Sequence, residues 1–131
     1  IKAAVQRHGD GLPAVDPAHP LLRHRGKTPV FSGSWSVRLV GGGFHVAHIH
    51  PAGRLSSACY IVLPDGIDAP ERPGWLEIGG APVELALNLD PMHMIRPQPG
   101  RLALFPSTMF HGTRPFPAGE RMTVAFDVVL T

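Results

Sequence analysis

Glycine and proline interrupt this chain so often that regular structure beyond position 28 can come only in short pieces. Each contributes 15 of the 131 residues, and both break helix interiors. The main breaks are Gly41-Gly42-Gly43, Pro64-Asp65-Gly66, Gly79-Gly80, Pro99-Gly100 and Pro117-Ala118-Gly119, all turn chemistry. Between them run β-rich stretches: Phe31 to Val40, Phe44 to His50, Ser56 to Leu63, Gly74 to Ile78, Val83 to Leu89, Met92 to Arg96, Arg101 to Phe105, Met109 to Thr113 and Arg121 to Leu130. Regularly spaced short strands predict an all-β sandwich or barrel. A double-stranded β-helix, or cupin-like jelly roll, fits this pattern, and its open mouth is a natural ligand cavity. Residues 1–28 read as an N-terminal arm: a short helix over Ile1 to His8, then Gly9, Gly11, Pro13, Pro17 and Pro20. Residues 29–131 read as the β domain.

A chain of this length is expected to be one domain with enough buried surface to fold unstapled. Twelve Lys and Arg against ten Asp and Glu leave a formal charge of +2. The basic residues are scattered, which argues against a nucleic-acid stripe or a membrane-binding face. No apolar run reaches bilayer length and no basic-then-apolar leader is present, so a soluble protein is expected. The single cysteine, Cys59, rules out an internal disulfide and fits a reducing, cytoplasmic compartment. Its apolar neighbours suggest an inert core thiol. The first residue is Ile1 rather than methionine, as expected of a portion of a longer protein.

Chemistry concentrates in the histidines. On an extended strand alternate side chains share a face, so His48 and His50 can grip one ion together. His111 completes a set of three imidazoles if the fold returns a distant strand to them. Such a set suits borderline metals including Fe(II), Zn(II), Cu(II) and Ni(II). In the expected jelly roll the His48 strand and the His111 region face one another across the mouth, with the Gly74 to Ile78 strand between them and the Arg121 strand lining the interior. His45 falls on the face opposite His48 of a regular strand, as a surface or packing residue. His93 reads as structural, Trp75 as a packing residue, and Met92, Met94 and Met109 as core filler.

The motifs Trp35-Ser36-Val37-Arg38-Leu39, His48-Ile49-His50-Pro51, Ser56-Ser57-Ala58-Cys59-Tyr60 and Pro99 to Ser107, followed by His111 and Arg121, resemble the 2-oxoglutarate and Fe(II)-dependent oxygenases. They are most similar to a bacterial group with a His-x-His-Pro segment and a later Phe-Pro-Ser block. The resemblance runs from about Trp35 to Val128. It implies a distorted jelly roll with Fe(II) as cofactor and 2-oxoglutarate as cosubstrate, His48 and His111 as metal ligands, and His50 in the third motif position. It further implies that Arg121, ten residues beyond His111, pairs with the remote carboxylate of 2-oxoglutarate, with Thr123 beside it and Tyr60 as another cosubstrate contact. A guanidinium forms a bidentate, charge-assisted pair with a carboxylate. The implied reaction is hydroxylation of a small-molecule or peptide substrate with release of succinate and carbon dioxide. His50 departs from the wider superfamily, whose members carry Asp or Glu there; a ligand role for His50, or water in its place, are both open.

Two alternatives remain at this level. Gly42 followed by five residues and His48-Ile49-His50 matches the opening of a cupin motif, as in three-histidine enzymes that do not use 2-oxoglutarate, yet Arg54 and Leu55 stand where that motif carries glutamate. A non-catalytic jelly-roll binding module is the other.

Overall fold

The computed structural model describes residues 1–131. Its eight strands are β1 (Pro29–Val40), β2 (His45–His48), β3 (Leu55–Val62), β4 (Leu76–Ile78), β5 (His93–Ile95), β6 (Leu102–Pro106), β7 (His111–Thr113) and β8 (Glu120–Leu130). They pair antiparallel in two four-stranded sheets with the orders β1-β8-β3-β6 and β2-β7-β4-β5. This is the expected jelly roll. The long β1 and β8 run side by side from Pro29↔Leu130 to Val40↔Glu120, so the first strand of the sheet domain is held by the last.

The β1-β8-β3-β6 sheet buries both faces. Toward the second sheet it contributes Ala58, Tyr60, Ala103 and Phe105, which meet Leu76 and Ile78 of β4. On its outer face Leu55, Phe126 and Val128 are covered by Val5 and Leu21. Val5 is the buried residue of helix α1 (Lys2–Asp10), and Leu21 precedes a 3-10 turn over Leu22–His24. Period-2 alternation sorts β8 accordingly: Arg121, Thr123, Ala125 and Asp127 share one parity, Phe126 and Val128 the other. No helix is long and apolar enough to cross a membrane.

Several expectations fail. Val83 to Leu89 is not a strand: a 3-10 turn over Val83–Leu85 ends at Ala86 in a left-handed conformation, and Asn88 also has positive φ. Val83, Leu85, Leu87 and Leu89 stay exposed, so strand propensity there finds neither partner nor burial to support it. The His48 and His111 strands do not face one another across the mouth; β2 and β7 are hydrogen-bonded neighbours in one sheet. Strand β4 therefore lies beyond β7 rather than between them. Met92 is exposed, and His93 is an exposed residue of the edge strand β5, whereas Met109 does pack on the core. Cys59 is half-buried.

Candidate metal and anion site

Cross-strand pairing builds the first part of the site. His48 on β2 stands opposite His111 on β7, with ring centroids 4.4 Å apart. That approach needs glycine beside His111, because a Cβ on Gly112 would lie 2.7 Å from the His45 carbonyl oxygen. His50 lies just past the end of β2, on a turn that leaves this sheet and fastens to the other. Its backbone N–H donates to the Ser107 carbonyl at 3.0 Å. A Cβ on Gly53, which closes the turn, would sit 2.6 Å from Ser107 Oγ, so a side chain there would have to displace the Ser107 hydroxyl. The His50 ring centroid is then 5.1 Å from that of His48 and 5.0 Å from that of His111. One ring nitrogen from each of the three lies within 4.8 Å of the others.

Hydrogen bonds decide which nitrogen that is. Carbonyl and carboxylate oxygens can only accept, so any ring nitrogen bonded to one must carry the proton. Nδ1 of His48 donates to Val46 O at 2.8 Å, and Nδ1 of His111 donates to Met109 O at 3.0 Å. Nδ1 of His50 donates to Asp127, 2.7 Å from Oδ2 and 2.9 Å from Oδ1. In all three rings the lone pair is left on Nε2. Burial also lowers His111 to about 4, with the neighbouring His48 and His50 acting in the same direction, so this ring is neutral near pH 7. Three imidazoles, each fixed through Nδ1 with Nε2 free to coordinate, form a group that could hold a transition metal, and the donor set fits Fe(II).

Behind His50 runs a directed polar chain. Ser56 Oγ donates to Asp127 Oδ1 at 2.8 Å and lies 3.0 Å from Ser107 Oγ. Because the Ser56 proton goes to the carboxylate, the Ser107 hydroxyl must donate to Ser56. Both serines are buried. Trp35 of β1 packs against the far side of His50, ring centroids 5.7 Å apart.

Arg121 occupies another part of the same cavity. That cavity is walled by Trp35, Val37, Leu76, Phe105 and Ala125 and contains the three histidines, Arg121 and Thr123. Arg121 is only 2% exposed. Its Nε donates to Gly74 O at 3.2 Å, its guanidinium carbon lies 5.4 Å from the Tyr60 ring centre, and none of the protein's ion pairs includes it. Burial lowers Arg121 from its usual range, while nearby Tyr60 raises it; the guanidinium remains charged. Arg38, Arg96 and Arg114, by contrast, pair with Glu120, Asp68 and Glu77. Thr123, two residues along β8, is buried on the same face and registers with Tyr60 of β3. The Tyr60 hydroxyl is buried and makes no hydrogen bond of good geometry, its neighbouring donor being the Arg121 guanidinium; burial raises the phenol while Arg121 acts in the opposite direction.

The residues singled out by sequence thus come together, with one misplacement and one omission. His45 lines the cavity instead of turning away from it, because the β2–β7 register shifts between His45 and His48. Such an irregularity resets side-chain parity. Burial, then the Arg121 cation, lowers His45. Asp127 is the omission. Its parity with Arg121 and Thr123 was a usable signal, but its partner His50 is 77 residues away in sequence.

Comparison with known proteins agrees with this geometry. Residues 33–127 match the family model described as "Putative 2OG-Fe(II) oxygenase". No curated protein matches the chain. Among solved structures, an oxidoreductase of the 2OG-Fe(II) oxygenase family from Burkholderia pseudomallei superposes with TM-score 0.62 at 14% identity, over 79% of this chain and 45% of that one. Iron-bound HygX from Streptomyces hygroscopicus gives 0.54 at 14%, over 80% and 60%. A Pseudomonas putida prolyl-4-hydroxylase gives 0.50 at 20%, over 72% and 50%. At these identities the likeness is one of fold, and the chain spans between 45% and 60% of these three structures' lengths. The family match covers most of the chain and takes in the site from Trp35 to Asp127, and by it the chain belongs to the 2OG-Fe(II) oxygenase family, whose cofactor and cosubstrate are Fe(II) and 2-oxoglutarate.

Proposed function

We propose that this protein is an Fe(II)- and 2-oxoglutarate-dependent dioxygenase that hydroxylates a small-molecule or peptide substrate and releases succinate and carbon dioxide. The supporting observation is a buried guanidinium without an acidic partner in the cavity that holds the three-histidine cluster. A buried unpaired charge is costly, and an anionic ligand is what offsets the cost. This favours an oxo-acid cosubstrate over the three-histidine cupin alternative, which gives the arginine no task.

His48, His50 and His111 would hold the metal through Nε2. When bound, Fe(II) supplies open coordination positions and the redox chemistry that couples dioxygen to decarboxylation of the cosubstrate and oxidation of a C–H bond. Arg121 pairs with the remote carboxylate of 2-oxoglutarate and so fixes which end of the diacid points toward the histidines. Thr123 offers that carboxylate a hydroxyl donor from the same strand face, and Tyr60 lies under the guanidinium. Leu76 and Phe105, both buried, give the cavity an apolar inner wall that limits water around the reacting centre.

Succinate formation tests the assignment. Purified protein with Fe(II), oxygen and 2-oxoglutarate should produce succinate, raised by a competent substrate. Arg121→Met should raise the KM for 2-oxoglutarate at least tenfold while leaving metal binding in place. Equal KM values in the two proteins would remove Arg121 from the cosubstrate site.

A further inference from the structure

We propose that Asp127 is a positioning residue of the metal centre: it accepts the Nδ1–H of His50, fixes that ring with Nε2 toward His48 and His111, and places a negative charge behind the third imidazole. The inference deepens the three-histidine reading above and rests on it. Non-haem Fe(II) oxygenases commonly use a 2-His-1-carboxylate set, in which one ligand carries a negative charge. Here all three candidate ligands are imidazoles, which bind metal as uncharged donors, and the carboxylate stands one hydrogen bond further out, 2.7 Å from His50 Nδ1.

The two other rings are held differently. His48 and His111 donate to backbone carbonyls, which fix a tautomer but carry no net charge. Only His50 donates to an anion, and imidazoles so paired become more basic ligands. The support is built as well as present. Asp127 comes from β8, where its parity places it in line with Arg121, Thr123 and Ala125, so one strand carries both the anion anchor and the carboxylate support. Ser107 and Ser56 donate in sequence toward Asp127, which leaves the carboxylate acceptor-only and directs its remaining capacity to His50. The His50 turn is pinned to Ser107 through its backbone N–H. His50, Ser56, Ser107 and Asp127 therefore form one unit linking the turn after β2 to the opposite sheet.

Two measurements on the full chain test this. Long-range proton–nitrogen NMR of the metal-free protein should show His50 as the Nδ1–H tautomer, and Asp127→Ala should shift it toward the Nε2–H form without altering His48 or His111. Anaerobic titration with Co(II), followed through its visible ligand-field band, should show tight stoichiometric binding in the wild type. Binding should weaken about 10–100-fold in Asp127→Ala, less in Asp127→Asn, which keeps an acceptor but loses the charge, and recover in part in Asp127→Glu. A wild type that binds Co(II) tightly with Asp127→Ala and Asp127→Asn matching it in affinity and spectrum would overturn the positioning role. An Nε2–H His50 in the wild-type apoprotein would overturn it independently. Failure of the wild type to bind Co(II) at all would instead defeat the three-histidine reading on which the inference rests.

Discussion

The two faces of the β1-β8-β3-β6 sheet are made by the same strands and put to opposite uses. Outward, Leu55, Phe126 and Val128 meet Val5 and Leu21 in an apolar cluster. Inward, the same strands bury Arg121 and Thr123 on a cavity and Ser56 behind it. Apolar contact stabilises the fold without chemical specificity, whereas buried polar groups stabilise little unless every one is satisfied. On the inner face the Arg121 guanidinium is buried without an anionic partner. The outer face therefore supplies stability and the inner face recognition, and substitutions on the two should separate cleanly.

The largest effect is expected outside. Phe126→Ala removes a ring that also packs on Phe31, centroids 5.0 Å apart, and should cost about 3–5 kcal/mol of unfolding free energy, measured by urea denaturation. Metal affinity in the folded fraction should be close to that of the wild type. Inside, Arg121→Met should behave in reverse. Removing an uncompensated buried charge should leave apoprotein stability unchanged or raise it by about 1–2 kcal/mol, while 2-oxoglutarate affinity falls by roughly 2–4 kcal/mol, read by calorimetric titration. A variant that unfolds readily would show that Arg121 is structural and undo the contrast.

pH supplies an intermediate test. The folded pKa of His111, about 4, lies below its ordinary 6.5, so between these values the unfolded chain binds the extra proton and the native chain does not. Apoprotein stability should accordingly be fully present above pH 6.5 and decline as pH falls toward 4. His111→Gln should flatten part of that slope. The smallest effect is expected at Thr123, where Thr123→Val keeps the β-branched shape and should weaken 2-oxoglutarate binding by only about 1 kcal/mol with stability little changed.

The same contrast explains what could be read from sequence. His48, His50, His111, Arg121 and Thr123 were legible because their positions follow a motif with fixed spacing and strands impose a two-residue period. Buried strands such as β3 and β8 announced themselves through apolar runs. His45 was misassigned because a register shift is a property of two strands together and leaves no mark in either one alone. Val83 to Leu89 carries strand-like residues, but strand formation depends on a partner edge, and none reaches it. Asp127 had the right parity, yet its role requires knowing that the turn after β2 crosses to the sheet containing β8.

The central claim is that three Nε2 atoms and one buried guanidinium define a single metal and oxo-acid site. Adding 2-oxoglutarate to the anaerobic Fe(II) protein tests it most directly, because a keto acid chelated to Fe(II) absorbs visible light and neither component does so alone. The wild type should develop that band at one equivalent of Fe(II), and His111→Ala should not. A wild-type protein that binds Fe(II) and 2-oxoglutarate without the band, or a His111→Ala variant that retains it, would contradict the account.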